Sequence, residues 1–183
     1  QPSACSISSS SKPAAVKREA PPDAAAELVM NAENGEVIRA KNADIPRDPA
    51  SLTKLMTAYT VMKAVTEGRL TLDQPIRISA GASQLNNNLF RIPVTNPDGT
   101  TEPSAFLPEG SKLTVREALT AMMTCSANGV AKALGEAFAP TRTVHKGKKT
   151  FEVAGSERDF AREMTRTAHE LGMTNSSFIN ASG

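Results

Sequence analysis

Apolar and polar positions alternate in two short runs near residue 30. The runs Glu27–Met30 and Val37–Ala40 flank Asn34 and Gly35, and an Asn-Gly pair between such runs is the strongest short signal for a tight hairpin turn. The pattern predicts two antiparallel strands. Residues 1–24, which precede them, are rich in Ser, Pro and Ala, a composition that buries little apolar surface and predicts a flexible leader.

The period then changes to that of a helix. Apolar residues recur every three or four positions from Leu52 to Val65, and Gly68 follows them. This spacing places the apolar side chains on one helix face, and a glycine is a common stop. The sequence therefore predicts an α-helix that begins near Ser51.

Two further helices are predicted around a short interruption. Thr114 and Glu117 stand three residues apart at the head of an apolar run, which is the arrangement of a capping box. Ser126–Gly129 breaks the pattern, and a second helical stretch is predicted over residues 130–138.

The remaining segments are predicted to be mostly irregular. Residues 76–79 fit one short strand, residues 81–112 are interrupted by Gly, Asn and Pro, and residues 139–155 predict a basic loop. A final helix is predicted after Ser156, which Asp159 can help to cap. Helices that follow an initial hairpin fit an α+β or α/β layer arrangement, with few strands.

Composition and charge narrow the classes of function. A net charge of +2 does not favour nucleic acid as a partner, and no apolar run approaches the roughly 20 residues that cross a bilayer. The two histidines, His145 and His169, lie far apart and offer no metal-ligand spacing. Neither a metal nor an organic cofactor is expected. The two cysteines, Cys5 in the leader and Cys125 at a helix end, are not expected to form a disulfide.

Ser51 and Lys54 form the sharpest chemical motif. Residues three apart on a helix share a face, so the Lys54 amine can reach the Ser51 hydroxyl and act as its general base. Burial at a helix N-terminus would lower the lysine pKa towards neutrality, and backbone N–H groups there could bind an oxyanion. Ser-x-x-Lys also arises by chance, with Ser as a helix cap and Lys exposed.

A second motif, Ser126-Ala127-Asn128, lies 75 residues beyond Ser51. A hydroxyl and a carboxamide between two helices could pass a proton to a leaving group and hold a substrate amide. Ser-Ala-Asn is also a plain helix break made of turn-forming residues.

Four segments together resemble the serine D-alanyl-D-alanine carboxypeptidases, the low-molecular-mass penicillin-binding proteins of peptidase family S11. They occur in the family's order, and the resemblance covers roughly residues 26–183. The segments are Pro49–Tyr59 (PASLTKLMTAY), Leu113–Leu119 (LTVREAL), Ser126–Asn128 (SAN) and Leu171–Gly183 (LGMTNSSFINASG).

The resemblance implies an α+β fold of the β-lactamase/transpeptidase type, in which a helical cluster packs against an antiparallel sheet that this chain leaves incomplete. It implies that Ser51 forms an acyl-enzyme, that Lys54 is its base, that Ser126 passes a proton to the departing D-alanine, and that Asn128 binds the peptide or orients Lys54. The expected substrates are peptidoglycan stem peptides, with β-lactams as acylating inhibitors, and the expected location is the periplasm or cell envelope, in a mature form without its signal peptide.

One family motif, Lys-Thr-Gly, is missing from the sequence. The nearest string, Lys148–Phe151, lacks the glycine and is interpreted as part of a solvated basic loop. Residues 25–183 are therefore expected to be the N-terminal two-thirds of a carboxypeptidase domain. A second polypeptide that completes the domain is the favoured explanation; a truncated gene and loss of activity remain open.

Other readings stay weaker. A class A β-lactamase would need a deacylating Glu in a Glu-x-x-Leu-Asn string, and a Ser-His-Asp hydrolase would need a Gly-x-Ser-x-Gly elbow; the sequence contains neither. The alternative from another class is a non-catalytic, penicillin-binding-like envelope protein that binds cell-wall peptide or a partner. Acylation by penicillin separates it from the enzyme.

Overall fold

The structure is a computed structural model that describes residues 26–85, 93–95, 97–103, 107–147 and 149–183. The leader predicted over residues 1–24 lies outside this part of the chain. The described residues divide into two compact units, one that ends at Arg47 and one that runs from Asp48 to Gly183.

The first unit contains the predicted hairpin. Strand β1 (Glu27–Met30) pairs antiparallel with β2 (Val37–Lys41), with Leu28 opposite Ala40. The Gly35 N–H donates to the Asn31 carbonyl at 2.9 Å, and Gly35 has a φ of 76°, a left-handed conformation that glycine adopts without a Cβ clash. The prediction of two antiparallel strands is confirmed.

The second unit contains the helices that the sequence predicts and one that it does not. The three long predicted helices and the short one after Ser126–Ala127 are all present, and a five-residue helix was missed. In chain order they are α1 (Thr53–Thr66), α2 (Ala80–Gln84), α3 (Val115–Cys125), α4 (Asn128–Ala137) and α5 (Glu157–Glu170).

Two capping boxes fix where the helices begin. The Thr114 N–H donates to Glu117 Oε2 at 2.8 Å and the Glu117 N–H donates back to Thr114 Oγ1 at 3.2 Å. Ser156 and Asp159 form the same reciprocal pair at the start of α5. Each box satisfies backbone donors that the first helical turn leaves without partners, so the sequence locates these two ends well.

The strands pair two by two within the described residues, each pair antiparallel. This confirms an α+β fold, although with more strands than expected. The pairs in the second unit are β3 (Pro75–Arg77) with β6 (Lys112–Thr114), β4 (Pro93–Thr95) with β5 (Thr101–Pro103), and β7 (Arg142–Lys146) with β8 (Lys149–Val153).

The prediction of an irregular loop over residues 139–155 is wrong, since β7 and β8 form a hairpin there. Its β-branched residues, including Val144 opposite Phe151, suit a pleated strand, and Gly147 turns the chain with a φ of 63°. The lysines of both strands hid this pattern, because nine of the ten strand residues are exposed and few apolar positions mark the strands.

The core of the second unit lies between α1, α3, α4 and α5. Among the side chains that are almost completely buried are Val61 from α1, Met122 from α3, Leu134 from α4, and Phe160 and Met164 from α5. The candidate catalytic residues lie at the ends of these helices. Among the described residues, no helix combines the length and apolar character that a membrane crossing demands.

The expectation for the cysteines is wrong at Cys125, which is disulfide-bonded. Cys125 is buried at the C-terminal end of α3. Cys5, the chain's other cysteine, lies outside the described residues.

Candidate active site

Ser51 lies at the entrance to α1. A single 3-10 turn, Ala50–Leu52, leads directly into the helix, and the Leu52 N–H donates to the Pro49 carbonyl at 3.1 Å. Ala50 has a φ of 47°, which is the left-handed region that non-glycine residues seldom occupy. The chain therefore turns sharply just before Ser51, and this turn sets the start of the helix at the serine.

Lys54 follows one helical turn later and points back at the serine. Its Nζ lies 3.1 Å from Ser51 Oγ, although only 3% of the residue is exposed. Burial lowers the pKa of Lys54, because the ammonium form loses its hydration. A lysine with a lowered pKa has a larger neutral fraction near pH 7, which is the form that can accept a proton.

The last described residues close over the lysine. The Lys54 ammonium donates to the Ser182 carbonyl at 2.9 Å, and Asn180 Oδ1 accepts the N–H groups of Ser182 at 3.0 Å and Gly183 at 2.6 Å. A Cβ on Gly183 would lie 1.9 Å from the Ala50 carbonyl oxygen. Only glycine permits this approach, which brings the 178–183 segment against the turn that carries Ser51.

The Ser126 hydroxyl also contacts Ser51, although the two residues are 75 positions apart in the sequence. Ser126 caps the C-terminal end of α3 in a left-handed conformation, with φ 52° and ψ 37°, and its Oγ lies 3.1 Å from Ser51 Oγ. The break between α3 and α4, which the sequence reveals as a turn, is the feature that aims this hydroxyl at Ser51.

Asn128 is not brought into the same set of contacts. It is the first residue of α4 and is half-buried. Among the described residues it makes no hydrogen bond to Ser51, Lys54 or Ser126. Its position two residues beyond Ser126 leaves it near the site, and its predicted role stays a prediction.

A cleft of about 360 Å³ opens beside Ser51, and Lys54 and Ser126 line it as well. Its apolar wall consists of Leu52, Leu55, Met122 and Met123. A nucleophile at the edge of a partly apolar cleft can meet a carbonyl group while bulk water is displaced. No group of three metal-ligating side chains occurs in the described part of the chain.

The arrangement fits nucleophilic catalysis by serine. Ser51 Oγ has two polar neighbours, so one can receive its proton while the other passes a proton onwards. The sequence had already named both neighbours. It did not reveal Ser182, because Ser182 acts through its backbone carbonyl, which no side-chain pattern reports.

Comparison with known proteins shows the same family along the chain. The profile of the family "D-alanyl-D-alanine carboxypeptidase" (peptidase S11) matches residues 14–143. The chain is 27% identical over 161 residues to D-alanyl-D-alanine carboxypeptidase DacF of Bacillus subtilis, and 30% identical over 161 residues to DacC of Escherichia coli. Each alignment covers 88% of this chain and 34% of the relative.

Solved structures agree. The D-alanyl-D-alanine carboxypeptidase DacD of Francisella tularensis superposes with a TM-score of 0.66 at 29% identity, over 94% of this chain and 33% of that one. Penicillin-binding protein D2 of Listeria monocytogenes, solved in its ampicillin-bound form, gives a TM-score of 0.56 at 28% identity, over 86% of this chain and 51% of that one.

The chain thus spans about a third of the length of the curated relatives it matches. The family profile covers well over half of this chain. The structural matches include a penicillin-binding protein and a β-lactamase, and the chain shares their β-lactamase/transpeptidase-type fold. The protein belongs to the D-alanyl-D-alanine carboxypeptidase family, peptidase S11.

Proposed function

We propose that this protein contributes the nucleophile of a serine-type D-alanyl-D-alanine carboxypeptidase that acts on peptidoglycan stem peptides in the periplasm or cell envelope. One observation carries the proposal: Ser51 Oγ lies 3.1 Å from both Lys54 Nζ and Ser126 Oγ. Two groups able to move protons around one serine are what an acyl-transfer reaction needs.

Each residue then has one role. Neutral Lys54 accepts the proton of Ser51 as its Oγ attacks the carbonyl carbon of the terminal peptide bond. The resulting tetrahedral intermediate collapses when Ser126 relays the proton that Lys54 accepted to the amine of the departing D-alanine, which leaves an acyl group on Ser51 and Lys54 neutral again. Water then hydrolyses this ester, with Lys54 again as the base. Asn128 binds the amide of the peptide.

The same chemistry makes a β-lactam a test substrate, because its strained amide acylates the serine and the leaving group stays attached. We expect the purified protein to gain one penicillin mass in an intact-mass spectrum. Digestion of the labelled protein should locate this mass on the peptide that contains Ser51. Ser51→Ala should abolish this gain with little change in stability, and Lys54→Ala should slow it by orders of magnitude.

The same spectrum tests the proposed second polypeptide, which would appear as a separate mass in the sample. Two results would count against the assignment. Labelling at a residue other than Ser51 would remove the proposed nucleophile. Absence of labelling in a folded sample would favour the alternative, a non-catalytic penicillin-binding-like protein that holds cell-wall peptide or a partner.

A further inference from the structure

An ion-pair network contacts the backbone of the 178–183 segment. Lys132 on α4 donates to Glu157 Oε2 at 2.8 Å and lies 3.0 Å from Glu136 Oε1. Glu136 in turn accepts a hydrogen bond from the Ser79 hydroxyl at 2.6 Å. Burial opposes the charge on Lys132, but the hydrogen bonds to Glu157 and Glu136 outweigh it and raise the pKa of Lys132.

Glu157 uses its second oxygen differently. Oε1 accepts the backbone N–H of Ala181 at 3.1 Å, while Lys132 holds Oε2. Only 16% of the Glu157 side chain is exposed, so this hydrogen bond forms where competition from water is weak. One carboxylate therefore joins the ion pair to the backbone of the 178–183 segment.

The next residue in that segment touches the proposed catalytic lysine. Ala181 is completely buried, its carbonyl accepts the Thr57 hydroxyl at 2.8 Å, and the adjacent Ser182 carbonyl accepts Lys54 at 2.9 Å. The peptide between Ala181 and Ser182 is thus held on both sides. A shift at the Ala181 N–H would move the Ser182 carbonyl away from Lys54.

Helix α4 packs closely against both Ala181 and Glu157. Gly135 on α4 faces both groups: a Cβ there would lie 3.2 Å from Ala181 Cβ and 3.3 Å from Glu157 Cγ. α4 therefore contacts the segment closely at Gly135, and one turn earlier on the helix Lys132 holds the Glu157 carboxylate.

We propose that Glu157 is a positioning residue: through the Ala181 N–H it fixes the 178–183 segment so that the Ser182 carbonyl stays on Lys54. Lys132 orients the Glu157 carboxylate for this contact. The catalytic consequence rests on the proposed function, in which Lys54 is the base for Ser51; the structural coupling from Glu157 to Lys54 does not.

The test compares Glu157→Ala with Glu157→Gln and with Glu163→Ala as a matched control. Glu163 lies on the same helix, pairs with Arg166 and has 19% of its side chain exposed. Its loss therefore removes an equal charge at similar burial from α5, without removing a hydrogen bond to the segment. Glu157→Gln keeps a side-chain oxygen that can accept the Ala181 N–H.

Three readouts are measured on the whole chain. We expect Glu157→Ala to speed amide exchange at Ala181 by about tenfold, which corresponds to one lost hydrogen bond. Lys54 should react faster with an amine-acylating reagent, because the segment that buries it loosens. Acylation of Ser51 by penicillin should slow by a similar factor. Glu157→Gln should recover most of each effect, and Glu163→Ala should leave all three at their wild-type values.

The outcomes separate the two proposals. If the unsubstituted protein takes up no penicillin, the proposed function fails, while Ala181 exchange and Lys54 labelling still decide the role of Glu157. The positioning role is overturned if Glu157→Ala leaves both of those readouts unchanged, or if Glu163→Ala alters them equally, since the effect would then be a general loosening of α5.

Discussion

Lys54 is almost completely buried, and burial disfavours the charged form of its amine. Burial lowers the pKa of Lys54, so the unfolded chain binds more protons than the folded one between that lowered value and the ordinary lysine value of about 10.4. The contribution of Lys54 to the free energy of unfolding therefore rises with pH across this window and is least favourable below it. The side chain costs stability in the protonated form and gives a proton acceptor in the neutral form.

The pH dependence of acylation should follow the neutral fraction of Lys54. We expect the rate constant for acylation by penicillin to rise with pH and to level off with a midpoint below about 10.4, because burial favours the neutral amine. The measurement is a series of stopped mass spectra across the range in which the protein stays folded. A rate independent of pH, or a midpoint at the ordinary lysine value, would contradict a buried base.

Ser126 is held in a left-handed conformation, with a φ of 52°, that costs an L-residue energy and a glycine none. We expect Ser126→Gly to be more stable than Ser126→Ala by about 1 kcal/mol, because both lack the hydroxyl and only glycine relieves the backbone. The measurement is urea-induced unfolding of the two variants.

Both Ser126 variants should acylate more slowly than the unsubstituted protein, since neither can relay a proton to the leaving group. Equal stabilities would mean that the left-handed backbone is not strained. Unchanged acylation in both would remove Ser126 from the proton relay.

At the residue scale, the sequence points to contacts made by side chains more readily than to contacts made by the backbone. Ser51, Lys54 and Ser126 are found from their spacing, because a hydroxyl, an amine and a second hydroxyl leave a pattern in the sequence. The Ser182 carbonyl leaves none, since every residue has a carbonyl and only the folded backbone decides where it points.

At the scale of elements, two buried threonines show opposite situations on neighbouring helices. The Thr57 hydroxyl on α1 donates to the Ala181 carbonyl at 2.8 Å. The Thr167 hydroxyl on α5 is also buried but has no hydrogen-bond partner among the described residues. A buried hydroxyl stabilises a fold only when it is paired.

The same substitution should therefore have opposite effects at the two sites. We expect Thr57→Val to lower the free energy of unfolding by about 1–3 kcal/mol, because it leaves the Ala181 carbonyl without its donor. Thr167→Val should leave that free energy unchanged or raise it by up to about 1 kcal/mol, since it replaces an unpaired polar atom with a methyl group.

Thr120→Val serves as the control for this pair, because Thr120 is exposed and bonds only within its own helix; its change should stay within about 0.5 kcal/mol. Chemical unfolding of the three variants gives the comparison. Equal losses at Thr57 and Thr167 would mean that helix propensity, not hydrogen bonding, dominates.

The sequence predicts elements well where local chemistry marks their ends. The capping boxes at Thr114 and Ser156 locate two helix starts, and Asn34-Gly35 marks the first hairpin. The β7–β8 hairpin was missed because nine of its ten strand residues are exposed, so the apolar alternation that reveals a half-buried strand is short and broken by lysines. Its pairing depends on backbone hydrogen bonds, which composition does not display.

At the scale of the whole molecule, the hairpin of the first unit exposes large apolar side chains. Leu28 is 54% exposed and Ile38 is 67% exposed. Leu28 lies opposite Ala40, and the register shifts at Ile38, two residues away. Large apolar side chains exposed near the edges of a two-stranded hairpin favour association.

We expect the 183-residue chain to self-associate at high concentration through this hairpin, and the double substitution Leu28→Thr with Ile38→Thr to reduce that association. Threonine keeps the β propensity of the strands while it removes apolar surface. Ile179→Thr is the matched control, because Ile179 is 82% exposed and lies outside the hairpin. Sedimentation velocity over a range of concentrations measures the effect. Association that responds equally to both sets of substitutions would show that general surface hydrophobicity, and not the hairpin, drives it.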